Sequence, residues 1–200
     1  MLLSSLIPHL GEAEVRGPTD RHIAQVTHDS RDAGPDDLFV AIRGERVDAR
    51  DFVPALNIAA VIADGEVRCQ PGVTQIQVPD ARRALAQAAA AHADFPGAKL
   101  PTVGLTGTNG KTTVSWMIES ILNTAGQTVG VIGTTGHRIG SRKLPAKHTT
   151  PEAPRIQALL TEMLSAGCST AVMEVSSIAL DMHRADGIPY RVAVFTNLSR

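Results

Sequence analysis

The chain has 200 residues, more than one average domain and fewer than two large ones. Its 19 Lys and Arg nearly balance 20 Asp and Glu, which excludes the strong basic excess typical of nucleic-acid-binding proteins. With 43% hydrophobic and 20% charged residues, the composition is that of a globular protein rather than a disordered one.

Neither a membrane span nor a secretory signal is predicted. No stretch reaches the roughly 18 apolar residues that a span needs, and residues 1–10 lack the basic start of a signal peptide. Cys69 and Cys168 match no metal-ligand spacing and are expected to be reduced thiols. We therefore expect a cytoplasmic protein that binds neither nucleic acid nor a membrane.

The first half of the chain alternates short helical and strand patterns. The sequence predicts helices over residues 2–10, 52–59 and 81–93, and strands over 23–27, 38–42, 60–63 and 74–78. A break containing Pro96 and Gly97 follows. We expect two domains, residues 1–97 and 98–200.

The second half alternates strand and helix more regularly. Strands are predicted over residues 102–106, 129–132, 171–175 and 192–195, and a helix over 111–124. A polar loop over 134–150 leads to a second helix, which opens at Pro151 and stops at Gly167. This alternation predicts an α/β fold with a parallel sheet and right-handed crossovers.

A glycine-rich turn joins the strand over 102–106 to the helix that follows it. Backbone N–H groups and a helix N-terminus can surround a phosphate there, a lysine can reach the outer phosphates, and a threonine hydroxyl can bind magnesium. The common phosphate-loop pattern needs glycine at position 105, where this chain has leucine, so the loop is a variant. Its residues are Gly107, Thr108, Asn109, Gly110, Lys111, Thr112 and Thr113.

An acidic residue ends a neighbouring strand. Glu174 closes the apolar run over 170–174, which favours a role in holding the metal over capping a helix or forming a surface ion pair. Ser176, just beyond it, could contact a ligand or cap a helix. Further along the chain, Arg184 lies in a polar stretch of the kind that is usually solvated.

Other polar motifs allow two interpretations. The triplet at 29–31, Asp-Ser-Arg, could bind a phosphate, although an Asx turn with an ion pair is favoured. Thr149 and Thr150 could contact a ligand or cap a helix. His137, His148 and His183 show no metal-ligand spacing.

Six motifs occur in order along the whole chain: residues 26–31, 37–41, 106–113, 149–151, 173–177 and 195–200. Together they resemble the Mur ligases of peptidoglycan synthesis, within them those that add the third amino acid. The resemblance implies an N-terminal α/β domain for the UDP end, a central phosphate-loop ATPase domain with a parallel sheet, and a C-terminal domain for the amino acid. It implies that this chain holds the first domain and about half of the second, and that it is not a competent ligase alone.

The resemblance also assigns residues. It implies that ATP binds Gly107–Thr113 with Lys111 as the catalytic residue, and that Thr112 and Glu174 hold Mg²⁺. His148 stands where the family usually has asparagine, Ile178 where it has histidine, and Met182 where a polar residue is common. For the UDP-MurNAc-dipeptide it implies contacts by His28, Ser30, Glu45, Arg46, Val47, His148, Thr149, Thr150, Ser176 and Arg184.

The implied reaction passes the γ-phosphate of ATP to the carboxylate of UDP-MurNAc-L-Ala-D-Glu, giving an acyl phosphate. The amino group of the third residue, expected to be diaminopimelate, then attacks it. Two alternatives remain: a related folate polyglutamylating ligase and a non-catalytic nucleotide-binding fragment. A phosphate-loop GTPase is disfavoured because the guanine signature Asn-Lys-x-Asp does not occur.

Overall fold

The computed structural model describes residues 1–44 and 47–199. The chain divides into two compact units, Met1–His92 and Ala93–Arg200. The sequence predicts the domain boundary after residue 97, and the units divide after His92. Within the described ranges, no helix is long and apolar enough to cross a membrane.

The first unit is built on a five-stranded sheet. Its strands are β1 (Glu14–Arg16), β2 (Val26–Thr27), β3 (Leu38–Ala41), β4 (Ala60–Ala63) and β5 (Thr74–Gln77), in the order β1-β5-β4-β3-β2. All pairs are parallel except β1 with β5. Every residue of β3 and β4 is buried, as expected for central parallel strands covered on both faces. The helices are α1 (Leu3–Leu6) and the alanine-rich α2 (Ala81–His92).

Three details of the first unit differ from the sequence prediction. The α-helix predicted over 52–59 is wrong: a 3₁₀ helix runs over Ala49–Ala55, and Pro54 inside it has no N–H to continue an α-helical ladder. The strand predicted over 23–27 is only β2. Strand β1 was not predicted, because its Glu-Val-Arg sequence carries one apolar residue and lies at the sheet edge.

The second unit holds a six-stranded sheet. Its strands are β6 (Thr102–Thr106), β7 (Val129–Ile132), β8 (His137–Ile139), β9 (Arg142–Leu144), β10 (Thr170–Glu174) and β11 (Val192–Phe195), in the order β11-β6-β10-β7-β8-β9. The first four strands in that order are parallel and confirm the predicted parallel sheet. The helices are α3 (Pro96–Lys99), α4 (Lys111–Thr124), α5 (Ala153–Ser165) and α6 (Ser177–Asp181).

The stretch predicted as one polar loop over 134–150 contains the antiparallel hairpin β8–β9, so that prediction is wrong in part. His137 and Ile139 are buried and Arg138 is half-buried, and Gly140 turns the chain with a positive φ of 56°. The alternation is only three residues long, too short to separate from loop sequence. Helix α5 begins at Ala153 rather than at Pro151.

Parallel strands bring their carboxyl ends to one edge of the sheet. Strands β6, β10 and β7 are neighbours in that order, so the residues that follow them lie side by side. This edge is where open α/β sheets bind ligands. It is the edge at which Gly107, Gly133 and Glu174 lie.

Candidate functional site

The glycine-rich loop leaves β6 and enters α4, as the sequence predicts. Gly107 and Gly110 have φ values of 130° and 84°, which glycine adopts without strain. A Cβ atom at position 107 would lie 2.2 Å from the Thr196 hydroxyl oxygen. Thr108, Asn109 and Gly110 are exposed, so the loop is open to a ligand.

The Lys111 ammonium folds back over this loop. Its Nζ donates to the carbonyl oxygens of Gly107, at 2.5 Å, and of Thr108, at 3.2 Å. These contacts hold a positive charge beside the backbone N–H groups at the start of α4. Both features favour an anion.

A segment after β11 holds the loop from the other side. The Asn197 carbonyl accepts from the Thr108 N–H at 3.0 Å, and the Asn197 Oδ1 accepts from the Asn109 N–H at 3.0 Å. The Thr196 hydroxyl donates to the Asn109 carbonyl at 2.6 Å. Sequence reasoning did not assign these two residues a function, because they lie about 90 positions from the loop.

Glu174 lies at the end of β10 with 1% of its surface exposed. Its Oε2 accepts from the Thr112 hydroxyl at 2.8 Å, so the two predicted metal ligands meet across 62 residues of sequence. Among residues 1–44 and 47–199, no cationic side chain forms an ion pair with it.

A buried carboxylate without a cationic partner is costly, and carboxylate and hydroxyl oxygens are the ligands Mg²⁺ prefers. The donor set therefore fits a divalent cation.

Thr113, the last residue of the predicted loop, is exposed on α4.

Three of the residues predicted to bind the sugar-peptide lie together near the end of β10 and the start of α5. The Thr150 hydroxyl donates to the Glu174 carbonyl at 2.9 Å and accepts from the Ser176 N–H at 3.0 Å. Ser176 caps α6, its Oγ accepting from the Ala179 N–H at 3.2 Å. Arg184 donates to the Thr150 carbonyl at 3.3 Å.

Thr149 and His148 differ in exposure, the first being half-buried and the second exposed. The Thr149 hydroxyl oxygen lies 3.0 Å from that of Thr134. Of this predicted set, Thr149 and His148 therefore have side chains open to a ligand, whereas the Thr150 hydroxyl is used within the protein.

In the first unit, His28 and Ser30 follow β2 and are half-buried. Asp29, which lies between these two residues in the sequence, accepts from the Arg31 backbone N–H at 3.0 Å and pairs with the Arg31 guanidinium. These hydrogen bonds hold the pKa of the Asp29 carboxyl well below its usual range. The favoured interpretation, an Asx turn with an ion pair, is confirmed. Val47 is 56% exposed, and the predictions for Glu45 and Arg46 lie outside the described residues.

Two further residues of the site were not predicted. Thr134 donates its backbone N–H to the Glu174 Oε1 at 3.1 Å and its hydroxyl to the Oε2 at 3.0 Å. Glu152 pairs with Arg184 at 2.7 Å. The sequence carried a usable signal for Thr134, because this polar residue follows β7 just as the glycine-rich loop follows β6, and the carboxyl ends of these strands meet at one edge of the sheet. None existed for Glu152, whose partner is 32 residues away.

A phosphate-loop turn between a parallel strand and a helix, with a buried acid at the end of the adjacent strand, defines the phosphate-loop class of α/β proteins. Comparison with known proteins narrows the class. Residues 105–200 match the Mur ligase middle domain, and residues 22–93 match the Mur ligase family catalytic domain. The chain belongs to the Mur ligase family.

The curated proteins similar to this chain are longer than it is. The UDP-N-acetylmuramoyl-L-alanyl-D-glutamate–2,6-diaminopimelate ligase of Caldanaerobacter subterraneus is 42% identical over 94% of this chain and 39% of its own length. The UDP-N-acetylmuramyl-tripeptide synthetase of Deinococcus radiodurans is 42% identical over 90% of this chain and 38% of its own. The chain thus spans less than half of these relatives.

One solved structure similar to this chain is a UDP-N-acetylmuramoyl-L-alanyl-D-glutamate–2,6-diaminopimelate ligase. Its TM-score is 0.83 at 27% identity, covering 100% of this chain and 41% of that structure. The likeness includes both units and agrees with the predicted α/β fold.

Proposed function

We propose that this chain supplies the ATP site and the UDP-substrate site of an ATP-dependent ligase that joins a third amino acid, diaminopimelate, to UDP-MurNAc-L-Ala-D-Glu in the cytoplasm, and that it is not a competent ligase alone. The observation that carries the proposal is the meeting of the Thr112 hydroxyl and the buried Glu174 carboxylate beside a glycine-rich loop. The names of the relatives from Caldanaerobacter and Deinococcus support the substrate and the step.

The proposed roles follow from the chemistry of each group. Residues Gly107–Thr113 bind the phosphates of ATP, and Lys111 neutralises the charge on the phosphoryl group that is transferred. Thr112 and Glu174 hold Mg²⁺, which when bound neutralises charge on the phosphates. Most of the catalysis in such a transfer is positioning, which requires the loop and the carboxylate to be fixed before the substrates arrive.

The two ends of the dipeptide substrate are assigned to different sets of residues. We infer that His28, Ser30, Glu45, Arg46 and Val47 recognise its UDP end. Its sugar-peptide part is assigned to residues near the start of α5, which are His148, Thr149, Thr150, Ser176 and Arg184. Of these, Thr149 and His148 offer their own polar groups, whereas Thr150 and Ser176 act by shaping the backbone between β10 and α6.

Calorimetric titration with a non-hydrolysable ATP analogue and Mg²⁺ tests the nucleotide site. Lys111→Ala should weaken binding by about ten- to a hundredfold, because it removes a charge-assisted contact of roughly 1.5–3 kcal/mol. Lys143→Ala, which removes an exposed lysine on β9, is the matched control and should bind as the unsubstituted chain does. Equal affinity for K111A and the unsubstituted chain would overturn the proposal.

The same titration with UDP-MurNAc-L-Ala-D-Glu and with a tetrahydrofolate glutamate separates the two ligase families. Binding of the UDP-linked dipeptide alone is the expected result. Binding of the folate in its place would assign the chain to the polyglutamylating relatives.

A further inference from the structure

One residue holds both oxygens of the Glu174 carboxylate. Thr134 donates its backbone N–H to Oε1 and its hydroxyl to Oε2, at 3.1 and 3.0 Å. Two hydrogen bonds to two different oxygens fix the rotation of the carboxylate, and bonds to a charged acceptor are the strong ones. Thr112 meets the same Oε2 from the loop side.

Gly133 allows Glu174 to approach closely enough for these two hydrogen bonds. A Cβ atom at position 133 would lie 2.3 Å from the Glu174 Oε1 and 3.0 Å from its Cδ. Any other residue would push the carboxylate away from the Thr134 backbone N–H. Gly133 leaves room for the Glu174 carboxylate at the carboxyl end of β7, and Thr134 holds that carboxylate by hydrogen bonds.

The Thr134 hydroxyl has a second neighbour, the Thr149 hydroxyl, with 3.0 Å between the two oxygens. A hydroxyl carries one proton, and a carboxylate can only accept. Because the Thr134 proton goes to Glu174, the Thr149 hydroxyl donates to Thr134. This leaves the lone pairs of the Thr149 oxygen to accept from a ligand.

We propose that Thr134 is a positioning residue that couples the metal-nucleotide site to the sugar-peptide site. This proposal rests on the proposed function and adds a physical connection between its two sites, because the Thr134 side chain contacts both Glu174 and Thr149. Binding of either ligand orders the same hydrogen-bonded hydroxyl groups. The second ligand therefore pays a smaller conformational-entropy cost when it binds. The two affinities should therefore increase each other by one and the same factor.

The test compares four forms of the full chain: unsubstituted, Thr134→Val, Thr134→Ser and Thr161→Val. Thr134→Val keeps the shape and the backbone N–H but loses the hydroxyl, and Thr134→Ser restores it. Thr161→Val is the matched control, because the Thr161 hydroxyl donates only to the Gln157 carbonyl within α5. Two ratios are measured by calorimetry. The first is the gain in ATP-analogue affinity from Mg²⁺, and the second is the gain in UDP-MurNAc-L-Ala-D-Glu affinity from the Mg²⁺-nucleotide.

In T134V the Mg²⁺ gain should fall by about three- to tenfold, as for the loss of one hydrogen bond to a charged group, and the second ratio should approach one. T134S and T161V should keep both ratios. A T134V chain with both ratios unchanged would overturn the proposal. If the unsubstituted chain binds no nucleotide at all, the proposed function fails instead, and the two failures are distinguishable.

Thr149→Val is the second variant, in case T134V does not fold. It leaves Thr134 hydrogen-bonded to Glu174 but removes both the link between the two sites and the contact proposed between Thr149 and the substrate. The affinity for the substrate alone should therefore fall as well, and the coupling is read only from the ratio of affinities with and without the other ligand. It should keep the Mg²⁺ gain in nucleotide affinity and lose the gain of one ligand from the other. A T149V chain that keeps the coupling would equally overturn the proposal.

Discussion

Arg184 shows how a single charged side chain is kept in place near the proposed substrate. Its side chain is 16% exposed, and its guanidinium pairs with Glu152 at 2.7 Å and donates to the Thr150 carbonyl. Its Nε is buried and has no partner in the described ranges. Glu152 is therefore the main compensation for this buried charge.

Glu152→Gln should lower the free energy of unfolding by about 1–3 kcal/mol, because it leaves the charge of Arg184 only partly compensated. Glu162→Gln is the matched control: its pairs with Arg142 and Arg155 are well exposed and should contribute less than about 1 kcal/mol. Urea denaturation of the two variants measures both values. Equal losses would mean that burial does not set the strength of the Glu152 pair.

His137 introduces a pH dependence into the second unit. It is 3% exposed on β8, and its Nδ1 has no hydrogen-bond partner in the part of the chain that the structure describes. Burial, with the nearby Arg155 charge, lowers the pKa of this imidazole. The unfolded chain therefore binds the proton more readily than the folded one, and stability falls as the pH drops below the unfolded pKa of about 6.5.

The unfolding free energy should decrease between pH 7.5 and 5.5, by at most about 1.4 kcal/mol from this group. His137→Leu should remove that part of the decrease, and Arg155→Gln should remove a smaller part of it. Urea denaturation at the two pH values measures the difference. An unchanged pH dependence in the leucine variant would show that His137 is readily protonated in the folded chain.

At the scale of elements, the glycine-rich loop depends on the segment that follows β11. Asn197 bonds three groups of the loop: the Thr108 N–H, the Asn109 N–H and the Asn109 carbonyl. Gly107 lets this segment approach, since any side chain there would collide with Thr196. The loop is therefore ordered by a contact distant in sequence and not by its own composition alone.

Asn197→Ala removes two of those hydrogen bonds and should weaken binding of the ATP analogue by roughly three- to tenfold, since the loop must then be ordered by the ligand. Asn123→Ala, on the exposed end of α4, is the control and should leave the affinity unchanged. Calorimetry measures both. If the N197A chain bound the analogue as tightly as the control, the loop would need no support from this segment.

The parts of the fold that follow from local sequence were predicted well. Strands β6, β7 and β11 and helices α2 and α4 have long or strongly patterned apolar runs, and their bounds agree with prediction to within a residue. The 3₁₀ helix around Pro54 and the β8–β9 hairpin were missed, because both are short and depend on tertiary contacts. The loop and Glu174 carried chemical signals in sequence, whereas Thr134, Glu152 and Asn197 act on partners distant in the chain.

At the scale of the whole molecule, the proposed function assigns the UDP end of the substrate to the first unit. In an isotope-labelled full chain, UDP should shift the amide signals of residues 26–31 and 44–48 in the first unit. Inorganic pyrophosphate is the control and should not reproduce those shifts, because it lacks the uridine. UDP shifts confined to the second unit, or none at millimolar UDP, would contradict the assignment of the UDP end.

The β8–β9 hairpin has a consequence for how this protein tolerates change in length. It pairs antiparallel to β7, so its turn at Gly140 lies beside Val129 at the start of that strand, and the chain then returns to place Thr149 next to Thr134. The turn is thus at the opposite end of β7 from the site. Residues inserted there would lengthen only an exposed turn, at a closure cost of about 0.6 kcal/mol per doubling of loop length. Evolution or protein engineering can therefore enlarge this hairpin without altering the distance between the two threonines.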